Sequence, residues 1–357
     1  MAGRKTTKLQ PKRVVYLWGA GATHAEAQHV GAPVNLLMRD DDDYGPGLTA
    51  RILKRAGKSS IAFRGSSGSD IEKLISLLTT SGVSKYISLA EDLRRSYFTE
   101  IRESLAKANL LGIPRLATRL LEFHQDPQFS SEVEILSGII TTNHDGLLQI
   151  ASQHVFSRVN SGFRFESNDF AHDEGAESPI LLQLHGSFTW QFGSPIQMGK
   201  LRRTSKYDDA VWLPPTILKE SKAYPFNKLT GMAHELLCRQ CDVLRVVGSS
   251  LTQNDWNILS LIFNAQRYKE LVQGEAFLIE LIMPHAIGEG VKRECSYLKN
   301  VNPIGYLTEG KFAIYKDDPS SVTPESDYAN PFFYWLSQKI DYHAGRSEIQ
   351  KVNALRL

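Results

Sequence analysis

TTNHDGL, at residues 141–147, follows directly on an apolar run over residues 135–140. This change predicts a buried strand that ends here and a helix that begins shortly after it. Asn143 and Asp145 would then lie at the carboxyl end of the strand, where ligands bind in open parallel sheets. Taken alone, Asn143 is also explained by a helix N-cap, because Asn and Asp are preferred at that position.

Two further strand ends carry residues of similar chemical character. Residues 180–184 run into His185, and residues 14–18 run into Gly19-Ala20-Gly21-Ala22-Thr23. The glycines permit a tight turn in which the backbone approaches a ligand closely, and the amides of the following helix can hold a phosphate. Because His24 replaces the third glycine of the dinucleotide fingerprint, a plain strand-to-helix turn explains the segment equally well. Together, the strand ends predict one crevice.

The second half of the chain repeats this pattern of strand, small residues and helix. Residues 242–247 predict a strand that leads into Gly248-Ser249-Ser250, and Asn254 and Asp255 are predicted to cap a helix over residues 256–271. Residues 276–282 predict another buried strand, in which Glu280 is explained by a paired buried acid or by an outward-facing residue. The alternation predicts an α/β, Rossmann-like fold with a mostly parallel sheet and helices on both faces.

A long helical stretch interrupts the strand series after the first strand–helix unit. Apolar residues recur at helical spacing over residues 48–125 and predict an inserted helical subdomain at about residues 40–130, either a lid or an assembly surface. The acidic run at residues 40–43 reads as a solvated loop, and residues 191–222 as an irregular loop. We expect a disordered arm over residues 1–12, a main domain over residues 13–320, and a C-terminal helix and tail over residues 321–357.

Composition excludes several broad classes of protein. The 357 residues carry 41 basic and 39 acidic side chains, so the net charge of +2 points to neither nucleic acid nor a membrane. The lack of a signal peptide and of an apolar run of about 20 residues predicts a cytoplasmic protein. Cys238 and Cys241 are three residues apart at the end of a predicted helix and share one face, so we predict core packing and no metal site.

Taken together, these segments resemble the sirtuin family over about residues 13–285. The resemblance rests on the order of Gly19-Ala20-Gly21-Ala22-Thr23, Gly31-Ala32-Pro33, Thr142-Asn143-His144-Asp145, Leu184-His185-Gly186, Pro214-Pro215 and Gly248-Ser249-Ser250-Leu251. Sirtuins are Rossmann-like proteins that bind NAD and cleave its nicotinamide–ribose bond. The resemblance therefore implies NAD as the substrate.

The resemblance also implies a role for each matching residue. Asn143 would orient the nicotinamide ribose and a nucleophile, Asp145 would recognise the carboxamide, and His185 would act as general base, which suits the near-neutral pKa of an imidazole. The pyrophosphate and its ribose would contact Gly19, Ala20, Gly21, Ala22 and Thr23. The adenosine side would contact Gly248, Ser249 and Ser250, with Glu280 as a further candidate for its ribose.

Departures from the family pattern narrow the expected activity. Protein-deacylating sirtuins usually carry two CxxC pairs for zinc, whereas this chain has one misplaced pair. Together with the helical insertion and His144, this makes the chain similar to the sirtuin-like NAD hydrolases of bacterial antiviral systems. Those act with partners such as Argonaute-type proteins or HerA-type DNA-translocating ATPases, so nucleic acid would be involved only indirectly.

We therefore expect an NAD hydrolase that gives nicotinamide and ADP-ribose and forms a homo-oligomer. Two alternatives stay open. One is an NAD-dependent protein deacylase, and the other is a non-catalytic module that senses NAD or ADP-ribose.

Overall fold

The computed structural model describes residues 10–29, 32, 34–40, 44–57, 70–110, 112–127, 130, 133–162, 178–193, 196–199, 206–216 and 223–304. Several sequence predictions lie outside these residues. They are most of the arm at residues 1–12, three of the acids at residues 40–43, Gly31 and Pro33, and the C-terminal helix and tail at residues 321–357.

Six parallel strands form the main sheet. They are β1 (Lys12–Trp18), β2 (Glu134–Thr141), β3 (Ile180–Gln183), β7 (Val243–Val247), β8 (Leu278–Ile282) and β9 (Val301–Pro303). Their spatial order is β3-β2-β1-β7-β8-β9, which is the Rossmann order 3-2-1-4-5-6 when these strands alone are counted. The predicted fold class is thus confirmed, and the order reverses between β1 and β7.

Helices cover both faces of this sheet, as the apolar strands require. Successive residues of β1 alternate between two buried clusters: Val15 and Leu17 belong to one, and Val14, Tyr16 and Trp18 to the other. The first cluster includes side chains of α7 (Phe226–Gln240) and α8 (Trp256–Tyr268). The second includes side chains of α1 (Ala20–His29), α5 (Arg115–Gln125) and α6 (Leu147–Phe156).

Three helices of the predicted insertion pack on a second sheet. These helices are α2 (Leu48–Arg55), α3 (Asp70–Thr80) and α4 (Ser84–Lys107). The second sheet has the order β5-β4-β6 and consists of β4 (Gly186–Gln191), β5 (Gln197–Met198) and β6 (Ala210–Trp212). One apolar cluster joins insertion and sheet, whereas α5 packs on the main sheet. The predicted irregular loop at residues 191–222 thus contains two short strands.

The last described segment adds α9 (His285–Glu294) before the edge strand β9. Sequence patterns predicted neither element. The helix predicted over residues 256–271 ends earlier, at Tyr268, and continues as a π-helical turn, Lys269–Gln273. Within the described ranges, no helix has the length and apolar character needed to cross a membrane.

Candidate functional site

A cavity of about 760 Å³ opens at the carboxyl ends of β1, β2, β7 and β8, where the strand order reverses. Most of the predicted site residues line it. They are Ala20, Gly21, Thr23, Asn143, Asp145, His185, Gly248, Ser249 and Ser250. The cavity occupies the place where Rossmann-like sheets bind their ligands.

The glycine turns after β1 and β7 pack against each other at this cavity. The Gly19 amide donates to the Val247 carbonyl at 2.8 Å, and the Gly21 amide donates to the Gly248 carbonyl at 2.8 Å. A Cβ at Gly19 would lie 2.6 Å from the Cβ of Ser249. Glycine is thus required at Gly19 by the neighbouring turn, and Gly19 supports the cavity from behind its lining.

Ala22 also differs from its predicted role. Its side chain is fully buried in the cluster with Tyr16 and Trp18, so it belongs to the core and does not line the cavity. Thr23, the next residue, does line it. Of the residues that follow β1, some therefore support the turn or the core, as Gly19 and Ala22 do, and others line the cavity, as Thr23 does.

Thr23 joins the ends of β1 and β2. Its Oγ1 accepts a hydrogen bond from Nδ2 of Asn143 at 2.9 Å and donates one to Oδ2 of Asp145 at 3.1 Å. The second carboxylate oxygen of Asp145 accepts the Leu147 amide at 3.0 Å, at the start of α6. Asp145 thus satisfies the amide at the helix start, and Asn143 is held in the cavity by Thr23.

Thr141 fixes the loop that carries these groups. Its Oγ1 donates to the Trp18 carbonyl at 2.8 Å and accepts the Asn143 amide at 3.0 Å. The hydroxyl therefore ties the end of β2 to the end of β1. This support was not predicted from the sequence, where Thr141 was only the first residue of the stretch that follows the strand.

The surroundings of Asp145 raise the pKa of its carboxyl group. Desolvation raises the pKa of the carboxyl group, and hydrogen bonds from the Leu147 amide and the Thr23 hydroxyl oppose that rise. A cation bound beside the group would favour its charged form. Asp145 is thus suited to meet a positively charged part of a ligand.

His185 lies in the tight connection between β3 and β4 and is 5 % exposed. The Leu184 amide donates to the Thr141 carbonyl at 2.9 Å, and the His185 carbonyl accepts the Leu213 amide at 2.8 Å. Gly186 has φ +73°, and a Cβ there would lie 2.2 Å from the Val211 carbonyl oxygen. The backbone on both sides of His185 is therefore fixed, and its side chain reaches the same cavity as Asn143.

His144 forms an aromatic wall beside these residues. Its ring stacks on Phe188 at a centroid distance of 5.2 Å and lies 6.0 Å from the ring of His185. Tyr97 of α4 lies 6.2 Å from the His144 ring and stacks on Trp212 at 6.0 Å. Since Tyr97 and His144 both line the cavity, the insertion contributes to the site. No local pattern marked Tyr97.

Glu280 does not reach the cavity, which corrects its predicted role in ribose binding. In the parallel register Glu280 pairs with Arg245, and its Oε2 accepts Nε of Arg245 at 2.8 Å. Arg245 is fully buried and also donates to both carboxylate oxygens of Glu134 at 2.7 Å and to the Tyr16 hydroxyl at 2.8 Å. Glu280 is thus the paired buried acid that the sequence left as an alternative.

The turn after Ser250 contributes residues that were predicted to have another role. Asn254 and Asp255 line the cavity. Asp255 occupies the N-cap position of α8, but its side chain makes no capping hydrogen bond there. The rest of the wall on this side comes from the β8–α9 connection, through residues such as Pro284, Ile287 and Glu294.

Cys238 and Cys241 lie in the core cluster that covers one face of the sheet, as their spacing predicted. Burial raises the pKa of both thiols. Across the described residues, no group of three or more His, Cys, Asp or Glu side chains is arranged to hold a metal ion.

Comparison with models of known protein families and with curated proteins gives no match for this chain. The functional argument therefore starts from the strand order, the cavity and the contacts among its side chains.

Proposed function

We propose that this protein is a sirtuin-like NAD glycohydrolase, which cleaves the nicotinamide–ribose bond to give nicotinamide and ADP-ribose. The observation that carries the proposal is the meeting of Asn143, Asp145 and His185 in one cavity at the switch point of a Rossmann-like sheet. A cavity of about 760 Å³ is within the range of about 300–1,000 Å³ expected for small-molecule sites.

The turns after β1 and β7 suit the pyrophosphate of NAD. The N-terminus of α1 favours an anion through its dipole and its free amides. The Gly21 amide is bonded to the Gly248 carbonyl and the Ala22 amide to the Gly19 carbonyl, so the Ala20 amide and the hydroxyls of Ser249 and Ser250 are the groups offered to the phosphates. These small residues also leave room for the backbone to approach the ligand.

The resemblance to sirtuins supports the following chemistry at the other end of the dinucleotide. The C1′–N bond breaks with its electron pair passing to the pyridine nitrogen, which neutralises the cationic ring, while a water oxygen bonds to C1′. His185 would accept the proton that this water loses, and Asn143 would hold the water and the ribose. Because Thr23 fixes the Asn143 carboxamide, its orientation is set before the substrate arrives.

Asp145 would recognise the carboxamide and stabilise the positive charge of the bound nicotinamide. Desolvation raises the pKa of Asp145, and the cationic ring would lower it again on binding. The charge on the ring is lost when the bond breaks, so this attraction aids binding and orientation more than the chemical step.

The test is to incubate the purified full chain with NAD and to measure nicotinamide by chromatography, with and without an acyl-lysine peptide. We expect release without peptide and a decrease in kcat of about 10²–10⁴-fold in Asn143→Ala and His185→Ala, the range of a general-base contribution. His154→Ala is the matched control, because His154 is exposed on α6 and lies outside the cavity lining.

Other outcomes separate the alternatives. Release only with peptide would indicate a deacylase, and NAD binding without turnover would indicate a sensing module. Because the relatives suggested by the resemblance act with partners, the assay is repeated with a HerA-type ATPase and DNA. No release under any of these conditions would refute the proposal.

The proposal extends to a defence effector that depletes NAD as a homo-oligomer and is regulated by a HerA-type ATPase or another sensor protein. Exposed apolar side chains in α3, in α4 and in the connection between them support the assembly role of the insertion. Leu77 is 69 % exposed, and Val83, Tyr86 and Ile87 are 45–47 % exposed. The mass of the full chain in solution, measured by light scattering, tests this part of the proposal.

A further inference from the structure

The helix α9, which follows β8, lines the cavity with one of its faces. Four of its residues belong to the lining: Ile287, Gly290, Val291 and Glu294. At 3.6 residues per turn these positions fall within about 100° of the helix circumference. Pro284, directly before the helix, continues the same wall. The wall is therefore apolar along most of its length and ends at the exposed carboxylate of Glu294.

The glycine at position 290 has no explanation in the packing of the helix. Glycine inside a helix is less favourable than alanine, so its presence there needs a reason. Gly288 has one, because a Cβ at that position would lie 3.0 Å from the Cβ of Pro303 in β9. At Gly290, by contrast, no atom of the described residues lies within 4 Å of an added Cβ. Since Gly290 lines the cavity, the missing side chain leaves open space on its wall.

The strand order places this wall at the opposite end of the cavity from Asn143. The sheet has the order β3-β2-β1-β7-β8-β9, so the cavity extends from the end of β2, past the turns after β1 and β7, to α9. Three strand spacings separate β2 from β8, which is a distance of about 14 Å. A dinucleotide with one ribose at Asn143 and its pyrophosphate at the glycine turns therefore extends towards α9 with its other nucleoside.

We propose that the face of α9 around Gly290 is the subsite for the purine base of the ligand, and that Gly290 provides the room for the ring. This inference rests on the proposed function for the identity of the ligand and deepens it. A planar ring can lie on a helix only where no side chain projects, and Pro284 and Ile287 offer apolar contacts to its face. The carboxylate of Glu294 can accept hydrogen bonds from the amino group of the base or from a ribose hydroxyl.

The test fills this space by replacing Gly290 with leucine in the full chain. Gly231→Leu is the matched control, because Gly231 lies inside α7, is exposed, has no atom of the described residues within 4 Å of an added Cβ and lies outside the cavity lining. Affinities for AMP and for nicotinamide mononucleotide are measured by calorimetry. AMP carries the purine base, and nicotinamide mononucleotide lacks it. The melting temperature of each variant is measured without ligand.

We expect Gly290→Leu to weaken AMP binding about 5- to 150-fold, the range that corresponds to overpacking a well-filled site. Binding of nicotinamide mononucleotide should stay within about twofold. The melting temperature should stay equal or rise in both leucine variants, because leucine is a better helix former than glycine. Gly290→Ala adds a single methyl group and should weaken AMP binding less than Gly290→Leu does, whereas Gly231→Leu should change neither affinity.

Several results would overturn the inference. They are AMP affinity in Gly290→Leu within twofold of wild type, equal weakening of AMP and nicotinamide mononucleotide, and no AMP binding by the wild-type chain. A melting temperature that falls in Gly290→Leu but not in Gly231→Leu would also overturn it, because protein atoms would then fill the space. AMP binding that depends on Gly290 in a chain that releases no nicotinamide from NAD would support the base subsite and refute the proposed cleavage.

Discussion

Replacing Gly248 by alanine tests the contact between the two turns that build the cavity. Gly248 has φ +60°, a region that costs other L-residues about 1–2 kcal/mol. An added Cβ would also lie 2.2 Å from the amide nitrogen of Ala22. That nitrogen belongs to the backbone of α1 and cannot rotate away, so the two turns would have to separate. Because overpacking costs about 1–3 kcal/mol, we expect a total loss of about 2–5 kcal/mol.

Gly274→Ala is the matched control for this substitution. Gly274 has φ +67°, and nothing lies within 4 Å of the position of an added Cβ. It should therefore lose only the backbone contribution of about 1–2 kcal/mol. Urea unfolding followed by circular dichroism gives both free energies of unfolding. If Gly248→Ala unfolds at the same urea concentration as Gly274→Ala, the close contact between the turns is wrong, and the shape assigned to the cavity is wrong with it.

Two further predictions concern charged groups away from the cavity. Glu280→Gln should lower the free energy of unfolding by about 1.5–3 kcal/mol, because it weakens a buried hydrogen bond from Arg245, and it should leave the affinity for NAD unchanged. Urea unfolding measures the first quantity and calorimetry the second. Weaker NAD binding without a loss of stability would contradict the placement of Glu280. For Asp242, desolvation raises the pKa, but hydrogen bonds from Arg13 and Lys269 lower it from 3.8 to about 2. A lowered folded-state pKa stabilises the fold above the unfolded value, and this stabilisation is lost as the pH falls through the folded value. Asp242→Asn should therefore lower the free energy of unfolding by about 1–2 kcal/mol at pH 7, after allowance for partial exposure. The difference in this free energy between variant and wild type should shrink between about pH 4 and pH 2. A difference that does not change with pH would contradict this ion pair.

Local patterns identified the elements that carry the cavity, and some of their chemistry. The apolar runs before Thr141, His185 and Gly248 each become strands of one parallel sheet, and the residues after them line one cavity. These runs are strong signals because a strand buried on both faces has few polar residues. By contrast, β5 and β6 contain two and three residues and are too short to show alternation.

Residues with more than one local explanation were harder to assign. Asn254 and Asp255 are residue types typical of a helix cap, yet they line the cavity, because the 3-10 turn that precedes α8 lies in the cavity wall. Gly19 lies in a segment that resembles a ligand-binding turn, yet glycine is needed there because a Cβ would collide with Ser249. The position of the turn in the cavity and the contact of Gly19 both depend on segments that are distant in the chain. A pattern read over a few neighbouring residues does not contain this information.

The sequence by itself determined the alternation of strands and helices, because hydrophobic periodicity and glycine conformations act within a few residues. Only the tertiary structure decided that Glu280 pairs with Arg245, that Tyr97 reaches the cavity from the insertion, and that Thr23 holds Asn143 and Asp145. The contacts of Glu280 and Thr23 depend on strand order and register, and the position of Tyr97 depends on the packing of α4; all of these are fixed between segments distant in the chain.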